Sequence, residues 1–184
     1  MRRWLAGIAC AAALCLLAAL GWAGWLQWGG NFHAVVPGLL YRSAQPAPAD
    51  LARWSAAHGL RSVLNLRGAS GAGWYRDEIA AAARLGLVHA DFAMKDNERL
   101  DPVRAARLVA LIDSLPKPVL IHCKAGADRT GLAAALYLAA HGAGESRSEA
   151  QLSFRFGHVG LPLAAAWAMD ESWEGIEPAL GYES

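Results

Sequence analysis

From residue 35 onward strand signals and helix signals alternate, and this alternation restricts the possible folds more than any other feature of the 184-residue chain. Gly38–Arg42 reads as a short strand, closed by Ser43-Ala44-Gln45-Pro46. Pro48–His58 reads as a helix, with Asp50 in its first turn and Gly59 as its stop. Leu60–Leu66 is an expected strand, Gly68–Gly73 a glycine-containing loop, Trp74–Leu85 a helix and Leu87–Phe92 a strand. Residues 93–101 are polar and irregular. Asp101-Pro102 then opens a helix to about Ser114, with an acidic N-cap and proline at the first helical position. Pro118–His122 is a short apolar strand, and Thr130–His141 is a helix apolar enough to belong in a core. Further helices are expected near 146–155 and 161–170, with residues 171–184 loosely structured. Strands separated by helices predict an α/β fold, a mostly parallel central sheet flanked by helices. No repeat and no linker divides residues 31–184, which are read as one domain.

A different pattern precedes that domain. Arg2 and Arg3 lead into a run from Trp4 to Trp28 without a single charged residue. Its 25 residues suit a membrane-spanning helix, which needs about 20. Trp22, Trp25 and Trp28 gather at the far end, where indoles favour the membrane–water interface. Residues 1–30 are therefore read as an N-terminal anchor, with residues 4–28 contacting the membrane. The positive-inside rule then puts Arg2 and Arg3 in the cytoplasm and the domain outside, in the periplasm of a double-membraned cell. The alternative is a cleaved signal peptide, with Gly21-Trp22-Ala23 as the cleavage site and a secreted domain.

Charge and cysteine content exclude other classes. Hydrophobic residues make up 55% of the chain and the mean hydropathy is +0.21, too apolar for a disordered chain. Without residues 1–30 the basic residues fall from 17 to 15 against 16 acidic ones, which argues against a nucleic-acid partner held by a basic field. Cys10 and Cys15 lie in the apolar run, where they read as small apolar residues, so Cys123 is the one thiol of the domain. A disulfide framework and a multi-cysteine zinc site are both impossible there, and no cluster has metal-ligand character. No cofactor and no metal is expected.

The chemistry concentrates after the Pro118–His122 strand. His122-Cys123-Lys124-Ala125-Gly126-Ala127-Asp128-Arg129-Thr130-Gly131 runs from a strand end into a helix start. Such a junction aims backbone N–H groups and a helix N-terminus at an anion. The same donors, with Arg129, favour the thiolate of Cys123, a strong nucleophile. Arg129 offers a planar fork for two phosphate oxygens. Gly126 and Gly131 remove side chains where the backbone must curl or approach a ligand. The Gly126–Gly131 spacing also resembles a nucleotide P-loop, but Leu132-Ala133 stands where that motif requires Lys and Ser/Thr.

The motif His122-Cys123-x5-Arg129-Thr130-Gly131 resembles the signature of cysteine-dependent protein tyrosine and dual-specificity phosphatases, and Tyr41-Arg42-Ser43-Ala44-Gln45-Pro46 is similar to a segment of their bacterial dual-specificity-like branch. The resemblance covers about residues 32–160. It implies a phosphomonoester hydrolase acting through a cysteinyl-phosphate, with a phosphorylated protein or another phosphomonoester as substrate. Cys123 would attack phosphorus. The amides of Lys124, Ala125, Gly126, Ala127 and Asp128, with Arg129, would hold the phosphoryl oxygens. Thr130 would hydrogen-bond the sulfur and His122 would orient the loop. Among Asp91, Asp96 and Asp101, the resemblance selects Asp96 as general acid, with Asp101 second. Ala127 stands where the phosphoinositide branch usually has a second lysine, which argues against polyanionic substrates, as does Asp128. Two alternatives remain: a lipid or envelope phosphate as substrate, or a non-catalytic phosphate-binding module. Arg42 and Arg67 are placed to reach the phosphate side of the sheet but are read first as members of structural ion pairs, and Trp74 and Tyr75 are read first as core residues, with the lining of a substrate groove as the alternative.

Overall fold

The computed structural model describes residues 2–182; the side chains of Arg2, Arg3 and Cys15 lie outside the described ones. In chain order the elements are α1 (Arg2–Trp28), β1 (His33–Val36), β2 (Leu40–Ser43), α2 (Pro48–His58), β3 (Ser62–Asn65), α3 (Gly73–Arg84), β4 (Val88–Asp91), α4 (Pro102–Ser114), β5 (Val119–His122), α5 (Asp128–Ala140), α6 (Glu145–Glu149) and α7 (Trp167–Ile176). Short 3-10 turns cover Phe154–Phe156 and Glu177–Leu180.

The five strands form one sheet in the order β1-β2-β5-β3-β4. Only β1 and β2 are antiparallel; β2–β5, β5–β3 and β3–β4 run parallel. Alternation along each strand sends neighbouring side chains to opposite faces. Leu40, Leu64 and Ile121 pack with α4, α5 and α7, whereas Tyr41, Val63 and Leu120 pack with α2 and α3. The α/β architecture and the parallel core follow the expected pattern. The helix at its centre, α5, is buried from Thr130 to Ala139. Its run of alanines lets the sheet and neighbouring helices approach closely, while Leu132 and Leu136 each contribute about 2 kcal/mol by leaving water.

Four features depart from the expected pattern. The edge strand β1 has no counterpart in the predicted pattern; it pairs with β2 through a turn at Gly38, whose φ of 77° suits glycine. The helix expected at 146–155 stops as α6 at Glu149, and that expected at 161–170 lies at Trp167–Ile176. Pro162 disfavours a helical conformation at Leu161, and the buried spacing Met169, Trp173, Ile176 pulls the chain into helix further on. Residues 171–180 are therefore helical rather than loose.

The N-terminal helix has the expected extent. Trp4, Ile8, Leu14, Leu16, Leu17, Leu20, Trp25 and Trp28 are all exposed on α1, and Leu26 is its one buried side chain among the described residues. Among those residues no helix is long and apolar enough to cross a membrane, so the structure gives the helix but not the expected transmembrane span.

Candidate active site

The parallel strands β2, β5 and β3 end level with one another: Ser43 pairs with His122, and His122 with Asn65. The segments leaving them therefore meet at one edge of the sheet. Leu66 donates its backbone N–H to the His122 carbonyl at 2.9 Å, and Gln45 donates to the Lys124 carbonyl at 3.2 Å. Between these flanks residues 123–127 curl back into the start of α5. Gly126 makes the curl possible: its φ is 73°, and a Cβ there would lie 2.6 Å from the Ala44 nitrogen.

Inside the curl Cys123 is 1% exposed, and its Sγ accepts a hydrogen bond from the Gly126 N–H at 3.3 Å. Outside it lies Arg42, fully buried at the end of β2. Its Nη2 donates to the carbonyls of Gly126 and Ala127 at 2.8 and 3.3 Å, and its Nη1 to the carbonyl and Oε1 of Gln151, each at 2.9 Å. Drawing those two carbonyls outward turns the N–H groups of Ala127 and Asp128 the other way, because each peptide is trans. Burial pulls the Arg42 guanidinium below its ordinary range, opposed by Cys123 and Asp128. Arg42 is thus structural, but its partners are carbonyls and an amide rather than a carboxylate.

Arg129, in the first turn of α5, reaches across to the irregular loop after β4. Nη1 donates to the Met94 carbonyl at 3.3 Å, and Nη2 lies 3.2 Å from Asp96 Oδ2. Its Nε is buried without a hydrogen-bond partner among the described residues. A buried donor of this kind is costly unless an acceptor arrives. The three candidate acids separate clearly. Asp91 accepts from Asn65 Nδ2 at 2.7 Å and Tyr75 Oη at 2.5 Å, and Asp101 caps α4 by accepting from the Arg104 N–H at 2.9 Å. Asp96 alone of the three pairs with Arg129, and its side chain is half exposed. Lys124 is exposed on the rim.

Thr130 departs from expectation. Its buried hydroxyl has no hydrogen-bond partner among the described residues, so the expected bond to the Cys123 sulfur is absent from this geometry. Asp128, at the helix start, accepts from His158 Nδ1 at 2.8 Å, while His158 Nε2 lies 3.0 Å from Asp170 on α7.

Several supporting residues have no signal in their local sequence. His122 is buried, and its Nε2 lies 3.1 Å from Oε1 of Glu78 on α3. Glu78 also meets His89 Nε2 at 2.8 Å and accepts a short hydrogen bond from Gln45. Burial alone would raise the Glu78 carboxyl, but His122, His89 and Gln45 outweigh it and bring it down to about 2. Asn31, between α1 and β1, donates to the Ala125 carbonyl at 3.0 Å and the Phe156 carbonyl at 2.8 Å. Neither Glu78 nor Asn31 lies near the cysteine motif in sequence. His122, within the cysteine motif, and Gln45, within the Tyr41–Pro46 segment, carried the sequence signal for this network.

The arrangement can hold a tetrahedral anion against a sulfur nucleophile. Comparison with known proteins bears on the fold and the family. Among curated proteins no sequence matches the chain. Solved structures share its fold: P. aeruginosa TpbA at 21% identity and TM-score 0.60, covering 83% of this chain and 91% of that one. The core catalytic domain of the PP-IP phosphatase SIW14 from S. cerevisiae matches at 19% identity and TM-score 0.63, covering 82% and 91%. PTPMT1 matches at 14% identity and TM-score 0.57, covering 82% and 98%. A family model, PTP-SAK, described as the DSP-PTPase phosphatase domain of Swiss Army Knife proteins, matches residues 30–160, well over half of the sequence. The chain therefore belongs to this family of cysteine-dependent, dual-specificity-type phosphatases.

Proposed function

We propose that the phosphatase works as follows, and that it works at a membrane. The Cys123 sulfur attacks phosphorus while Arg129 and the amides of residues 124–128 take up the phosphoryl oxygens. Charge then develops against donors already in place, which is the largest single source of such catalysis. Asp96 gives its proton to the departing oxygen, and the resulting carboxylate takes a proton from the water that later attacks the cysteinyl-phosphate. His122, held by Glu78, fixes the loop. The Asp96–Arg129 contact at 3.2 Å carries this reading, because it sets the acid at the rim of the anion cradle. The arriving phosphate must displace Asp96 from the guanidinium, which frees the carboxyl to meet the ester oxygen. Thr130 assists departure of the sulfur only if its unpaired hydroxyl swings to it in the intermediate.

The test is Cys123→Ser on para-nitrophenyl phosphate. Turnover should vanish while the circular dichroism spectrum and phosphate affinity persist; retained turnover would remove the covalent mechanism. Binding without turnover by the unmodified protein would instead favour a phosphate-binding module.

For the substrate, phosphotyrosine in a protein is the first reading; the TpbA structure has also been determined in complex with pTyr. A lipid or envelope phosphate is the second, favoured by the Asn31 link between the end of α1 and the loop carbonyl of Ala125. The uncharged run Trp4–Trp28 and the exposed apolar side chains of α1 support an anchor with the domain on the outer side. Hydrolysis of a phosphotyrosine peptide against phosphatidylglycerophosphate in vesicles decides between the two.

A further inference from the structure

Next to the phosphate cradle stands a second cation that the mechanism leaves unused. Arg67 follows β3, and the pairing of Asn65 with His122 places it level with Lys124 one strand away. Its Nη1 donates to Gln45 Oε1 at 2.8 Å, and Gln45 is itself bonded through its backbone to Lys124. The guanidinium carbon sits over the Trp74 indole, 3.6 Å from the ring centroid. Among the described residues no carboxylate lies within ion-pair distance of it. The ion pair expected from the sequence is therefore not formed, and Trp74 is partly exposed rather than buried. Burial pulls the Arg67 guanidinium below its ordinary range, helped by Arg129 and opposed by Cys123 and Glu78, which agrees with its place beside the nucleophile.

A guanidinium has five donors in a rigid fork. The Gln45 bond uses one of them, and the cation–π contact with Trp74 holds the group without using any. Beyond Trp74 a cleft of about 280 Å³ is lined by Gln45, Pro46, Ala47, Pro48, Trp74 and Asp77. Its walls are mainly apolar and Asp77 repels anions, so the cleft suits a neutral, flat group. A negative group on the same substrate has Arg67 as its partner.

We propose that Arg67, braced by Gln45 and Trp74, is a specificity residue that reads one additional acidic group, a carboxylate or phosphate, carried by the phosphomonoester close to its ester oxygen. It takes one such group and not several, since Asp77 lines the adjoining cleft and Glu78 acts on Arg67 from nearby. The inference rests on the phosphatase reading above. A lipid phosphodiester and an acidic substituent of a small aryl ester share the chemistry.

The test uses two esters matched in shape, 3-carboxyphenyl phosphate and 3-carbamoylphenyl phosphate. The wild-type enzyme should favour the carboxylate by about fivefold in kcat/KM, expressed in KM, the size of one partly screened charge-assisted contact. Arg67→Gln should bring the ratio to about one, and Arg67→Lys should keep part of it. The same ratio of Kd values should appear when both esters bind Cys123→Ser, and disappear in the Cys123→Ser/Arg67→Gln double variant. This arm reads the subsite even if turnover is absent, so failure of the phosphatase reading remains separate. Phosphatidylglycerophosphate in vesicles, assayed with the same variants, shows whether the acidic group comes from a lipid. Equal handling of the two aryl esters by the wild type, or a preference that survives Arg67→Gln, overturns the proposal.

Discussion

Two carboxylates do opposite work within the same site. Asp96 is half exposed on an irregular loop and held by one guanidinium, so it can leave when phosphate arrives. Asp96→Asn keeps the shape but has no proton to give. It should lower kcat on para-nitrophenyl phosphate roughly a hundredfold with little change in KM, the usual range for loss of a general acid. If Asp101→Asn does this instead, the acid is Asp101. Glu78 is buried and fixed by three partners, which hold its carboxyl down at about 2 against burial. Its contribution to stability is therefore present above the ordinary value of 4.5 and is lost as pH falls through about 2. Glu78→Gln should be less stable than wild type at pH 6 by up to roughly 3 kcal/mol, the free energy equivalent of that shift. The gap should narrow steadily between pH 4.5 and pH 2, read from urea midpoints; a gap that stays constant would show that Glu78 acts by packing alone.

The elements that position these residues differ in how plainly the sequence announces them. Helix α2 ends where the predicted one does, because Pro48, Asp50 and Gly59 are local signals that act within one turn. Helix α4 is equally plain, with Asp101 as its N-cap and Pro102 inside. The cysteine loop is legible for the same reason: all its parts lie within ten consecutive residues. Strand β1 is not, since four residues paired at a sheet edge carry no periodicity of their own. Nor is the segment from Phe154 to Ala166, whose shape depends on distant partners. His158 ties it down, lying between Asp128 at the start of α5 and Asp170 on α7. Burial would lower the His158 imidazole, but the two carboxylates outweigh it and raise it above 6.5. That tie is complete below pH 6.5 and is lost as pH rises through the higher folded value. His158→Gln should therefore be destabilised most at pH 6, with a gap that shrinks on the alkaline side. Equal urea midpoints for the two proteins at pH 6 would show that the paired carboxylates do not hold the imidazolium.

For the molecule as a whole, the open question is why a small phosphatase carries a helix that water does not favour. Among the described residues nine large apolar side chains of α1 stand exposed, Trp4 at 81% and Trp28 at 94% among them, and one such helix in water invites aggregation. The helix is also no loose tail. Leu26 is buried, with its Cδ1 3.5 Å from where a Cβ on Gly157 would lie, Trp22 Nε1 donates to the Phe154 carbonyl at 3.3 Å, and Asn31 grips the loop at Ala125. The last turns of α1 thus belong to the domain, and the part before Trp22 contributes little to it. Removing residues 2–21 should leave kcat on para-nitrophenyl phosphate within about twofold, because the retained Trp22, Leu26 and Asn31 still brace the loop. The full chain should stay with the membrane fraction through an alkaline carbonate wash, and the shortened chain should be released. A full chain found in the soluble fraction would remove the anchor. If the anchor holds and the substrate is itself in the bilayer, the shortened enzyme should also lose most of its rate on vesicles while keeping it on soluble esters. Confinement to a surface raises the effective substrate concentration without any new contact. Equal loss on both substrates would instead mean that residues 2–21 support the fold.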